Sequence, residues 1–217
     1  MKPVRPVDAA SILLLDRSGA DVRVLVGRRS SKHVFMPDVY VFPGGRRDAA
    51  DRYVAVENTL HPLACERLAV RAGPRCSKTR LRALGVAALR ELYEEAGLGV
   101  GAPADGSPLP FRPDLSRLRF LARAITPPGM VRRYDTRFFA LFADEAGIDP
   151  AGARASHELE DLRWVDIFAP GGVTMPDITA LILEELRKSL REDLSLPFGR
   201  AVPLYHSPRG RFVRELL

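Results

Sequence analysis

ALRELYEEAGL, Ala88 to Leu98, is the stretch on which the reading of this chain turns. Glu91, Glu94 and Glu95 stand at i, i+3 and i+4, a spacing that puts three carboxylates on one face of a helix. Like charges that close repel unless something neutralises them. A hard divalent cation such as Mg2+ or Mn2+ does so well, because it favours carboxylate oxygen. Arg90 can reach Glu94 one turn on, orienting one carboxylate and leaving the others for a metal. Taken alone, the same triplet also suits a solvated acidic face paired with Arg90 and Arg82.

The helix around it is the strongest in the sequence. Its span is Thr79 to Ala96, with Thr79 as N-cap and an apolar stripe of Leu81, Leu84, Ala88, Leu92 and Ala96. Gly97 sits where a left-handed C-cap belongs, and Leu98 can fold back over the last turn. Upstream, Val41-Phe42-Pro43-Gly44-Gly45 ends a strand in two glycines, which lets backbone carbonyls and amides come close to a ligand or metal.

Further out, residues 7–16 and 22–28 read as strands, the first a nearly continuous apolar run that suits burial on both faces. A polar loop with Met36-Pro37 precedes the short strand at 39–42. Between 52 and 80 the middle has helical spacing, with Leu60, Leu63, Ala64, Leu68 and Val70. Residues 99–116, rich in Gly and Pro, read as loop. Strands are expected at 117–126, 134–143 and 161–166, a last amphipathic helix at 176–194, and then a tail. Strands alternating with helices argue for a single α/β domain over 1–217.

Composition narrows the function. The 217 residues are enough for one sizeable core, and 46% hydrophobic with 28% charged is ordinary globular composition. The early apolar run Ile12–Leu15 is too short for a secretory leader or a membrane span, so the cytoplasm is the expected location. Cys65 and Cys76 are too few for a zinc site and are read as structural, reduced thiols. A net charge of +6 favours anionic partners. Six arginines and one lysine fall between Arg67 and Arg90 without an acid, either a solvated face or a phosphate reader. Aromatic residues are only 7% and no nucleic-acid reader motif occurs, which argues against stacking platforms for nucleic acid.

A Gly-Gly strand end followed by an acidic helix closing in Gly-Leu resembles the Nudix hydrolase signature, G-x5-E-x7-R-E-U-x-E-E-x-G-U with U aliphatic. Arg90, Glu91, Leu92, Glu94, Glu95, Gly97 and Leu98 match every defined position of its second half. Gly45 opens the first half, but residue 51 is Asp51 rather than Glu. Between Asp51 and Arg90 lie 38 residues instead of seven, an insertion of 31. Both departures occur together in a long-insert branch that includes peroxisomal coenzyme A diphosphatases. The stretches ITPPGMVRRYDTRFF (125–139) and ELEDLRWVD (158–166) are similar to that branch too. The resemblance covers about residues 8–190.

It implies a Nudix-type α/β/α sandwich with a mixed sheet and a helical insertion at about 52–82 inside the signature. Glu94 and Glu95 would bind Mg2+ or Mn2+ with help from Glu91 and the Gly45 carbonyl, and Arg90 would hold a glutamate in place. Glu91, Glu158 or Glu160 would serve as base. Arg28, Arg132 and Arg133 are candidates to hold phosphates, since guanidinium fits phosphate oxygens. The implied activity is hydrolysis of a diphosphate in a small molecule, with coenzyme A or acyl-CoA as first candidate. ADP-ribose, a dinucleotide or a nucleotide sugar is the alternative, and a non-catalytic nucleotide-binding module a further one. Neither nucleic acid nor membrane is expected as partner, and the oligomeric state, a homodimer included, stays open.

Overall fold

The computed structural model describes residues 4–30, 38–74 and 76–217; the Met36-Pro37 loop and Arg75 of the basic run lie outside them. In chain order the strands and helices are β1 (Val7–Asp16), β2 (Arg23–Arg29), β3 (Tyr40–Val41), β4 (Gly44–Arg46), α1 (Pro62–Ala69) and α2 (Lys78–Ala96). There follow β5 (Gly101–Pro103), β6 (Phe111–Pro113), β7 (Arg119–Ile125), β8 (Tyr134–Phe142), β9 (Leu159–Asp166), α3 (Asp177–Glu192), β10 (Pro203–His206) and β11 (Val213–Leu216).

β1 organises the sheet. It runs parallel to β8 over nine residue pairs, from Val7↔Tyr134 to Leu15↔Phe142. On its other edge it pairs with β4 near its start and with β2 only at its end, so β1 and β2 splay apart and leave room for the Gly-Gly segment. The mixed sheet of nine strands runs β11-β10-β7-β8-β1-β2-β3, with β4 on β1 and β9 on β2. Ile12 and Leu14 pack on one face with α2, whereas Leu13 and Leu15 pack on the other with α3. That is an α/β/α sandwich, and it follows from an apolar strand whose alternate side chains must be covered on both sides.

α2 is buried well beyond one stripe. Ala83, Val86, Ala87 and Leu89 are covered along with the expected leucines. One flank lies on the sheet; over the other, Leu60, Leu115 and Leu118 would each come within 3.3 Å of a Cβ at Gly85. The N-cap is Ser77, not Thr79: its Oγ accepts from the Arg80 N–H at 3.2 Å. Gly97 is left-handed at φ 74° as the sequence indicates, and its N–H reaches Tyr93 O at 2.8 Å. α1 joins the same core through Ala64 and Leu68.

Two stretches differ from the sequence reading. Within 99–116, β5 and β6 form a small antiparallel ribbon. The tail adds β10, parallel to β7, and β11 beside it. The described arginines of the basic run do not form a free solvated face; each makes a contact within the molecule. Arg67 donates to Leu217 O and Gly199 O, and Arg71 pairs with Glu215. Arg80 binds Asp8, Arg82 binds Arg52 O, and Arg90 serves the site described next. The run staples the insertion and α2 to the strands around them. Cys65 and Cys76 are free and partly buried.

Candidate active site

The Gly-Gly segment is extended strand rather than turn. Ala10 lies opposite Gly45 and Ser11 opposite Gly44, while Ser11 Oγ and Ile12 N both donate to Pro43 O at 2.9 Å. Neither glycine has room for a side chain. A Cβ on Gly44 would stand 2.6 Å from Ser11 Cα, and one on Gly45 would stand 2.4 Å from Glu91 Oε1. The second clash shows that an α2 carboxylate lies directly against bare backbone.

α2 brings its three acids to this strand in different states. Glu95, 6% exposed, accepts a hydrogen bond from Gly44 N at 2.8 Å and makes no ion pair among the described residues. Glu91, 8% exposed, and the exposed Glu94 share Arg90, whose Nη1 donates to both at 2.8 Å. Arg90 is anchored from behind: Nε and Nη2 donate to Asp51 at 3.0 and 3.4 Å, and Nη2 also donates to Arg46 O at 3.0 Å. Both Asp51 oxygens are thus taken up by Arg90, and one also accepts from Asp48 N at 2.7 Å. Held almost fully buried by the short 3-10 turn Ala50–Arg52, Asp51 fixes the arginine that orients Glu91 and Glu94.

Burial drives the electrostatics. It pushes the Glu91 carboxyl up to about 6 against the pull of Arg90, with Glu94 and Glu158 adding to the rise. Burial lifts Glu95 further, to about 8, opposed by the Gly44 N–H and by Arg29, with Glu91 and Glu158 again adding. Arg90 is held above its ordinary value: Asp51, Glu91 and Glu94 outweigh its burial. As the side chains lie, no three His, Cys, Asp or Glu among the described residues converge on one point as a ready metal cage. The donor set nevertheless fits a hard divalent cation. It is all oxygen, it is short of positive charge, and the absent Cβ at Gly45 leaves its backbone open beside Glu91.

The outlying candidates separate. The Glu158 charge raises the proton affinity of both Glu91 and Glu95. Glu160 pairs with Arg28 at 3.3 Å. Arg28 is further tied to Asp38 at 3.1 Å. Arg133 spends its donors on Thr126 O and Val4 O, a loop-holding role. Arg132 is exposed and carries no described partner. The sequence reading passed over Arg29. It ends β2 opposite Leu159, its charge acts on Glu95, and its Nε is buried without a partner among the described residues.

No family model matches the chain, and no curated protein matches it. Solved structures do. One is a Nudix hydrolase from Alicyclobacillus acidocaldarius, 25% identical over 83% of this chain and 90% of its own, with a TM-score of 0.63. The fold is that of the Nudix hydrolases. The Nudix domain of Shewanella oneidensis NrtR, solved with ADP ribose, shares it at TM-score 0.52 and 13% identity, over 86% of this chain and 90% of that one. So does a C. elegans Ap4A hydrolase at 0.50 and 13%, over 86% and 98%. At 13% identity these two speak for the fold alone. The Alicyclobacillus match, joined to an intact Nudix helix, makes the chain an enzyme of the pyrophosphohydrolase kind. No helix of the described residues is long and apolar enough to cross a membrane.

Proposed function

We propose that this protein hydrolyses the diphosphate of a small molecule, with Mg2+ or Mn2+ held by Glu91, Glu94, Glu95 and the Gly45 carbonyl. One observation carries the reading: Glu95 is buried without a cationic partner, beside Glu91 and a backbone stripped of side chains. A cation bound there would draw charge from phosphate oxygens and make bound water more acidic. The chain's own residues do the rest. Gly44 N–H fixes Glu95, and Arg90, braced by Asp51, sets the direction of Glu91 and Glu94. Glu91, with its proton affinity raised toward neutrality, is placed to take a proton from water, and Glu158 is the second candidate base. Three acids on one packed helix hold their spacing better than a loop would. An intact acidic face favours this over a non-catalytic binding module.

For the substrate we favour coenzyme A or an acyl-CoA. Support comes from the long insertion, the 125–139 and 158–166 stretches, and the exposed Arg132 within the first of them. The basic run counts for less than its length suggests, because its described arginines already hold groups of the protein itself. ADP-ribose, a dinucleotide or a nucleotide sugar is the competing choice. The test is kcat/KM for coenzyme A, dephospho-coenzyme A, NADH and ADP-ribose with Mg2+ or Mn2+. A preference of tenfold or more for coenzyme A over its dephospho form, about 1.4 kcal/mol, is expected if the extra phosphate is held. A clear preference for ADP-ribose or NADH would remove coenzyme A, and no turnover of any diphosphate would remove the activity.

A further inference from the structure

Beneath the first turns of α2 lies a second charged cluster that the diphosphate chemistry does not use. Asp8 is the second residue of β1 and Asp135 the second of β8, and the two are register partners. Arg80 donates to both Asp8 oxygens at 2.7 and 2.8 Å, and Arg47 reaches the same carboxylate at 3.4 Å. Arg123 grips Asp135 with two bonds of 2.8 Å. Arg137 stands between them, its side chain 2% exposed, 3.0 Å from each carboxylate. No other carboxylate among the described residues pairs with these four arginines. Four guanidinium groups thus face two carboxylates, a surplus of two positive charges in a layer that is covered at Arg123 and Arg137 and partly open at Arg47 and Arg80. Burial, with Arg123 and Arg80 beside it, presses Arg137 below the usual guanidinium value even though both aspartates oppose this.

Uncompensated buried charge is costly, and a mobile counter-ion can supply what the fold omits. The layer opens to solvent at Arg47 and Arg80, whose side chains are 24% and 28% exposed. Arg47 is the weakest-held of the four, and its Nη2 makes no described bond; nor does Nη1 of Arg80. We propose that Arg47 and Arg80, seated over Asp8, form an anion site for a phosphate group, distinct from the acidic face of α2. A tetrahedral phosphate offers separate oxygens to two guanidinium edges in bidentate geometry, whereas chloride offers a single centre with no such fit. Arg47 lies two residues beyond Gly45 on the same side of the extended segment, so the two sites are neighbours facing opposite charges.

The measurement is phosphate binding by calorimetry, with thermal unfolding in sodium phosphate against sodium chloride at equal ionic strength. Divalent cation is left out, so that the acidic face of α2 repels the anion. Phosphate is expected to raise Tm above chloride. Arg47→Gln should weaken phosphate binding about tenfold, the size of one lost charge-assisted bond. Arg46→Gln, on the exposed neighbour turned the other way, should leave it unchanged. Orthophosphate, 5′-AMP and 3′,5′-ADP as separate ligands tell a free anion from a nucleotide-borne one. Equal Tm in phosphate and chloride, or wild-type affinity in Arg47→Gln, would overturn the site. Neither result touches the diphosphatase reading, which turnover tests separately.

Discussion

The two ends of α2 carry opposite imbalances of charge. Near its C-terminal end Glu91, Glu94 and Glu95, with Glu158 beside them, share Arg90 and the distant pull of Arg29. Near its N-terminal end Asp8 and Asp135 are claimed by four arginines. Burial raises the proton affinity of every one of these buried acids that shifts. Yet Asp8 ends below its ordinary value, because Arg80, Arg137 and Arg47 outweigh burial, while Glu95 ends far above its own. The balance between burial and the opposing cations decides the sign. One end of the helix is left short of cations and the other short of anions.

That contrast can be broken most sharply at its acidic end. Glu95→Gln keeps shape and hydrogen bonding but not charge, so it should retain the fold and cost turnover about a hundredfold or more. Wild-type turnover in both Glu94→Gln and Glu95→Gln at saturating Mg2+ would sink the metal assignment. Gly45→Ala comes next: the new methyl would collide with Glu91, so kcat should fall roughly tenfold or more, with a lowered Tm. A variant with unchanged kinetics would mean that Glu91 is free to move without consequence.

The pH responses should run in opposite directions. Glu91 and Glu95 have raised folded values, about 6 and about 8 against an ordinary 4.5, so the folded state binds their protons more tightly. Metal-free protein should therefore gain stability as pH falls from about 8 toward 5. Saturating Mg2+ should flatten that gain, since the cation competes with the protons. Asp8 has a lowered folded value; its contribution is present above its ordinary 3.8 and is lost as pH drops through the lowered value. Below pH about 4 the wild type should lose Tm more steeply than Asp8→Asn, which has already lost that carboxylate. Parallel curves for the two proteins would deny Asp8 this part. The smallest effect is expected at Asp51→Asn. Loosening the brace on Arg90 should lower kcat a few-fold with little change in KM, and Asp51→Glu should restore it, on the order of one charged hydrogen bond partly made good.

What the sequence made legible follows from the length and regularity of the signals. β1 is a nearly continuous apolar run, and α2 repeats Leu and Ala at helical steps into a Gly cap; both fall where their patterns put them. β5, β6, β10 and β11 are three or four residues each, three of them containing Pro, and they form only because distant partners offer a ladder. No local pattern can announce that. Ser77 and Thr79 are both good caps two residues apart, and only the Arg80 N–H decides between them. At the site, α2's acids were visible because one helix face carries them all. The Asp51–Arg90 brace spans the insertion, so its pairing needed the fold. Arg28 and Arg29 are adjacent, and a bulge between Val26 and Arg28 disturbs the strand alternation that would have told which one turns toward Glu95.

The order of the strands has a consequence for how the molecule is made. β7 acquires its parallel neighbour β10 only about eighty residues later in the chain, and the insertion is clasped through Arg67 to Gly199 and Leu217. During synthesis, the acidic helix and its covering loop emerge well before the residues that lock them. Contacts this distant in sequence are slow to form. A ribosome paused before residue 199 would hold a nascent chain with a complete catalytic motif and an unfastened insertion. Such an intermediate presents an unpaired strand edge at β7, and it is there that a chaperone, or a neighbouring nascent chain, would first find purchase.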